Sequence, residues 1–210
     1  MIKKHLKTLI ITSIVILLPM LAGLILWNQL PEQIPTHWNA AGEIDGWSSK
    51  AFAVFGLSSI LLAAQWICVL GTAADPKKSN HSDKILQLVL WIVPVLSVVM
   101  YAMTFAAALG HQVRMEVMMP VLIGLMFVII GNYLPKCQQN YTVGIKLPWT
   151  LNSEENWNKT HRFAGRLWSV CGLVILFTGF FGGFWVFFVI SFLMVLAPTI
   201  YSYLLHRKGI

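Results

Sequence analysis

Charge is what this sequence has least of. Charged residues make up 11% of its 210 positions, against 57% hydrophobic. Soluble globular chains run nearer ~25% charged, so there are too few charges here to cover a water-exposed surface, and a soluble domain is excluded. Acidic residues are scarcer still, eight against fifteen Lys and Arg. The three cysteines, Cys68, Cys137 and Cys171, are too few and too scattered for a disulfide framework and read as reduced packing residues. Also missing are a nucleophile elbow, a phosphate-cradling glycine loop and a paired-histidine zinc helix. No catalytic residue, metal or cofactor is therefore expected. There is no internal repeat and no low-complexity tract. No small-x-small cleavage site follows the first apolar run, which is longer than the ~7–15 residues of a signal peptide; it is expected to stay in the mature protein.

What is present is apolar length. A spanning helix needs roughly 20 mainly apolar residues, and six stretches qualify: about 6–27, 51–72, 85–109, 117–134, 165–181 and 184–205. The expectation is an all-α integral membrane protein, a single membrane domain over 1–210 with six transmembrane helices. Pro19, Pro94, Pro120 and Pro198 fall inside these runs and must be tolerated by neighbouring helices or local adjustment. Gly124 and Gly131, seven apart, mark one face for close helix packing. The last two runs meet at Gly182-Gly183, which predicts a tight hairpin. No run carries a charge at its middle, only Gln65, Gln87, Asn132 and hydroxyls, which argues against ion-coupled transport.

Orientation follows from the basic residues. With the N-terminus inside, every Lys and Arg except Lys50 and Arg114 lies on the inner side. Both termini are then cytoplasmic. The net charge of +7 is accounted for by anionic lipid headgroups, and no nucleic-acid partner is expected. Two loops exceed what connection requires, an outer one at 28–50 and an inner one at 135–163, whereas 75–83 reads as a polar connector only.

In the outer loop, Pro31 and Pro35 forbid helix and give an extended start. Asp45-Gly46 is a tight-turn signal. Trp27, Trp38 and Trp47 suit the headgroup layer, and the loop is expected to fold back onto the membrane face. His37 with Glu32, Glu43 and Asp45 has the side chains of a zinc site but no established ligand spacing. The favoured reading is that His37 and Asn39 bond turn backbone; a surface for an extracellular peptide or lipid group is the other.

In the inner loop, Asn152 with Glu155 reads as a helix N-cap and capping-box partner, from which a helix runs into the fifth span. On that helix Trp157, His161, Ala164 and Trp168 fall within about 60° of one another, with Lys159, Arg162 and Arg166 opposite. One face then packs on protein. The other meets phosphates or an acidic partner, anchored by snorkelling bases or used as a docking surface.

Pro31, Ile34-Pro35, His37-Trp38-Asn39, Gly42 and Asp45-Gly46 together resemble the N-terminal signature of the SdpI family of bacterial membrane proteins. Asn140-Tyr141, Gly144-Ile145-Lys146, Pro148-Trp149-Thr150, Trp157 and Thr160-His161-Arg162 are similar to its second feature, in the right order. The resemblance implies a multi-pass protein of the bacterial cytoplasmic membrane that gives immunity to a secreted killing peptide and holds a cytoplasmic transcriptional repressor. It implies outer contacts at His37, Trp38, Asn39, Asp45 and Trp47. Inner ones would be Lys146, Trp149, Trp157, Lys159, His161 and Arg162. Other classes in view are a membrane-embedded enzyme, or a lipid or envelope transporter, using the outer His/Asp cluster.

Overall fold

The computed structural model describes residues 2–181 and 184–210. Its helices are α1 (Ile2–Ile25), α2 (Leu57–Ala73, preceded by a π-helical turn at Phe52–Gly56), α3 (Asp83–Ala108), α4 (Met115–Tyr133), a short α5 (Pro148–Asn152), α6 (Glu154–Gly179) and α7 (Phe184–Arg207). Among the described residues, all but α5 are long and apolar enough to cross a membrane, α2 together with its π-turn, which makes six spans. The spans match the apolar runs except at α6, which starts well before its run as the inner-loop helix continues into it. The hairpin expected at Gly182-Gly183 lies outside the described residues. The one sheet among them is a two-stranded antiparallel hairpin, β1 (Gln33–Trp38) with β2 (Ile44–Ser49), where only an extended start and a turn are expected from sequence.

The protein forms two compact units, one built from the residues up to Ala73 with Leu86–Met115, the other from Ala74–Ile85 and Glu116–Ile210. In the first, Leu30, Ile34, Ala53, Val54, Tyr101 and Phe105 make the core beneath the hairpin. The π-turn presents the Ala53 carbonyl to Tyr101 of α3. Tyr101 satisfies it, its hydroxyl donating to Ala53 O at 2.8 Å while accepting from Ser58 Oγ at 2.9 Å. Deeper in the membrane, Gln65 Nε2 donates to Thr12 Oγ1 at 2.7 Å and Trp66 Nε1 to Ser13 Oγ at 3.2 Å, tying α2 to α1. Such intramembrane bonds average ~0.6 kcal/mol each.

In the second unit glycines set the packing. A Cβ on Gly124 would lie 2.7 Å from Gly172 O, and one on Gly131 2.8 Å from Gly165 O. The face expected from Gly124 and Gly131 is thus met by a matching pair on α6. Backbone touches backbone, and no side chain can swing aside. On the other side of α6, Cys171, Ile175 and Met194 form a core with α7. Pro198 has no N–H to offer the carbonyl four residues earlier. That carbonyl, Met194 O, accepts instead from Trp168 Nε1 at 2.9 Å.

Gly172→Val is expected to destabilise the second unit by at least the ~1–3 kcal/mol of an overpacked core. Gly71, which has nothing within 4 Å of a Cβ, supplies the control. Thermal unfolding of the two valine variants in nanodiscs should show a large fall in midpoint for Gly172→Val and little for Gly71→Val.

Candidate functional sites

The hairpin head is a built object. Its base is closed by Lys50, whose side chain is only 8% exposed. The ammonium donates to Trp27 O at 3.1 Å, pairs with Glu32 at 2.9 Å and sits 5.1 Å over the Trp27 ring. Its backbone N–H bonds Glu32 O at 2.9 Å. The tip is organised by Asn39: its Oδ1 accepts from the N–H groups of Ala41 and Glu43 at 2.9 and 3.0 Å, and its Nδ2 donates to Glu43 Oε2 at 2.9 Å. Gly42 follows at φ +80°, in the left-handed region that Gly occupies freely.

The turn therefore lies at Asn39–Gly42, and the Asp45-Gly46 expectation is corrected. Those two residues belong to β2, where the ladder is irregular on both strands between Pro35 and Trp38. Gly46 is opposite His37, and a Cβ there would stand 2.8 Å from His37 Cβ. The small residue serves a close cross-strand approach. Asp45 Oδ1 lies 2.5 Å from His37 Nδ1, so His37 bonds this carboxylate and not the turn backbone expected of it, while Asn39 does bond turn backbone. His37, Asp45 and Trp47 are exposed; Trp38 and Asn39 are half-buried. The four side chains considered for zinc do not converge, because Glu32 goes to Lys50 and Glu43 to Asn39. Among the described residues no three His, Cys, Asp or Glu side chains are placed to hold a metal.

The second site is buried, and its centre is a residue that sequence reasoning passed over. Asp75, in the segment read as a mere connector, has a fully buried side chain. Its Oδ1 accepts from Lys77 N at 2.7 Å; its Oδ2 accepts from Tyr141 N and Thr142 Oγ1 at 2.9 Å each and lies 3.2 Å from His81 Nε2. Burial alone would raise the Asp75 carboxyl, but these hydrogen bonds outweigh it and hold it below the usual carboxylate range. Thr142 Oγ1 is also 3.2 Å from His81 Nε2. Acid and hydroxyl thus face the same ring nitrogen, which is no relay from nucleophile through base to acid.

Asn140 folds the loop that follows. Its Oδ1 accepts from Thr142 N and Val143 N, and its Nδ2 donates to the carbonyls of Gln138 and Val143. Gln139 Nε2 donates to Thr150 O and Leu151 O, while Lys77 Nζ donates to Gln139 Oε1. Burial pushes the Cys137 thiol up to about 11 against the pull of Asn140, so it stays protonated at neutral pH and is a poor nucleophile.

The loop closes over a stacked pair, Trp157 and His161, with ring centroids 4.0 Å apart. Trp157 Nε1 donates to Cys137 O at 2.7 Å. His161 Nε2 accepts from Ile145 N at 2.9 Å, which leaves Nδ1 to donate to Trp157 O at 2.8 Å. Gly144, at φ +121°, passes so near that a Cβ would meet His161 Nε2 at 2.5 Å. The expected apolar face of α6 is there, and the structure holds Trp157 and His161 inside, 0% and 1% exposed. They hold the loop in shape and present nothing to a partner. Lys146 and Arg162 are exposed, Lys159 is half-exposed and pairs with Glu155 at 2.7 Å, and Trp149 stacks on His206. The cap of α6 is Ser153, its Oγ accepting from Asn156 N at 3.2 Å. Asn152 ends α5 instead, because Pro148 starts a separate turn that Thr150 closes by accepting from Leu147 N at 2.8 Å.

The hairpin and the Asn140 loop fall in separate windows of similarity, while Asp75 and His81 lie in neither. Residues 14–62, which hold the hairpin, match a family described only as a domain of unknown function. Residues 136–202, which hold the Asn140 loop and α5, match the SdpI/YfhL protein family. Across nearly its whole length the protein is similar to the immunity protein SdpI of Bacillus subtilis (strain 168), 28% identical over 205 residues, 96% of this sequence and 97% of that one. No solved structure matches it.

Because the Asp75 carboxyl is held low, it adds stability at every pH above the unfolded value of ~3.9 and loses that contribution as pH falls through the folded value. Thermal midpoints should hold from about pH 7 down to about pH 5 and drop below roughly pH 4. Asp75→Ala strands its donors, at ~1–3 kcal/mol, so its midpoint should be lower at neutral pH and fall less in acid.

Proposed function

We propose that the protein is a member of the SdpI family and a toxin-immunity protein of the bacterial cytoplasmic membrane. It protects its host from a membrane-active killing peptide through the hairpin head and reports to a cytoplasmic repressor through the 135–163 loop. The full-length likeness to an immunity protein carries this reading. The distribution of Lys and Arg supports termini and the 135–163 loop on the cytoplasmic side, with the hairpin outside.

The head suits a peptide ligand. Clasped at its base by Lys50 and at its tip by Asn39, it offers its contacts without a large ordering cost. His37, Asp45 and Trp47 are the exposed contacts, with Trp38 and Asn39 as the half-buried floor. On the inner side Lys146 and Arg162 face outward and Lys159 is half-exposed, while Trp149, Trp157 and His161 hold the surface in shape. Signalling requires two conformations whose balance the peptide shifts. Two features support a binder over an enzyme: burial raises the Cys137 thiol, and His81 faces acid and hydroxyl through one nitrogen.

Expressed in a sensitive bacterium, the protein is expected to raise the lethal dose of an Sdp-type killing peptide. His37→Ala and Trp47→Ala should each cut that protection by about tenfold, the effect of losing one good contact, at equal membrane levels. A wild-type protein that gives no protection at verified levels overturns the immunity reading. Full protection from both variants removes the head from it.

A further inference from the structure

The second unit carries a cleft of about 420 Å³ lined by Asn80, Gln138, Gln139, Glu154 and Asn158. That volume is within the ~300–1,000 Å³ of small-ligand pockets, yet all five lining side chains are polar, four of them carboxamides. Gln139 is a fixed wall, both ends of its amide being engaged by Lys77 and by the carbonyls of Thr150 and Leu151. Asn80 is half-fixed: its Nδ2 donates to Gln139 O at 2.7 Å, and its Oδ1 is left over. Gln138, Glu154 and Asn158 are exposed, and among the described residues their side chains have no hydrogen bond or ion pair. Glu154 differs in this from Glu155, which Lys159 neutralises.

We propose that this cleft binds the backbone of an extended segment of a partner protein, with a basic side chain of that segment set against Glu154. A carboxamide carries one acceptor and one donor in the arrangement of a peptide group. Gln138 and Asn158 can therefore each serve a backbone carbonyl and a backbone N–H together, whatever side chains the segment bears. The rigid Gln139 wall lowers the cost of ordering. The mainly polar lining disfavours acyl groups and aromatic rings, and the free Glu154 carboxylate selects a cation through a charge-assisted hydrogen bond. The sequence points to partner contact at Lys146, Trp149, Trp157, Lys159, His161 and Arg162; the cleft uses none of these residues and offers a negative charge.

The inference rests on the reading above for the side of the membrane from which the partner comes, but its test needs no toxin, so the two fail separately. The full-length protein in nanodiscs is panned with a display library of short random-sequence peptides, with counter-selection on the Gln138→Leu, Asn158→Leu double variant. Peptides rich in Lys or Arg are expected, binding the double variant and Glu154→Gln about tenfold more weakly. They should lose binding when resynthesised with an N-methylated backbone. Asn158→Ala, which removes the amide at an exposed position without adding charge, should weaken the same peptides with an unchanged unfolding midpoint. A library that yields no peptide able to tell wild type from the double variant overturns the proposal. So do retained peptides that are acidic or that tolerate N-methylation.

Discussion

Inside a bilayer there is no water to accept a stranded backbone carbonyl or amide, and that constraint accounts for much of what these helices do. Two of the irregularities in these helices are met by a named donor. The carbonyl that Pro198 leaves free takes the indole of Trp168. The Ala53 carbonyl, within the π-turn, accepts from the hydroxyl of Tyr101. Ser169, Thr178 and Thr199 turn their hydroxyls back onto carbonyls of their own helices at Gly165, Val174 and Val195. Aromatic residues here are therefore more than apolar bulk. Trp168 is held against α7 by its N–H as well as by its ring, and it packs edge-on to Phe127 of α4.

The same accounting organises the polar segment of the second unit. Asp75 collects donors from Lys77, Tyr141 and Thr142; Asn140 folds its own loop; Gln139 fastens that loop to α5; His161 and Trp157 receive what remains. Each side chain accepts or donates where the backbone has no secondary structure to satisfy it. A non-helical stretch of this kind is stable only because so many of its groups are paired, which is why its conformation is specified closely enough to carry a surface.

How legible this was depends on the range of the interactions. Helix existence, span number and the Gly124/Gly131 face follow from periodicity and residue size, which are local, and they were readable. The burial of Trp157 and His161 followed from their place on the α6 face. The position of the β-turn was not readable, because Asp45-Gly46 and Asn39-to-Gly42 are both good turn chemistry. Deciding between them takes the cross-strand fit of Gly46 against His37. Likewise Ser153 and Asn152 are equally good caps, until Pro148 claims Asn152 for a separate turn. Asp75 was the least visible. Its partners lie up to 67 residues away in sequence, and nothing in a short polar linker announces a buried carboxylate. The amide-lined cleft was hidden for the same reason, since Asn80 and Asn158 meet only in the folded protein.

The clasp at Lys50 has a consequence for how this protein can diversify. One ammonium joins Trp27 and Glu32 across the neck of a segment of more than twenty residues, so the geometry of the adjoining spans is fixed below the neck. The bonds that close the neck do not involve the tip between Asn39 and Glu43. Residues there can be exchanged, lengthened or shortened at a modest loop-closure cost. The head is thus free to follow a changing ligand over evolutionary time while the membrane body stays as it is.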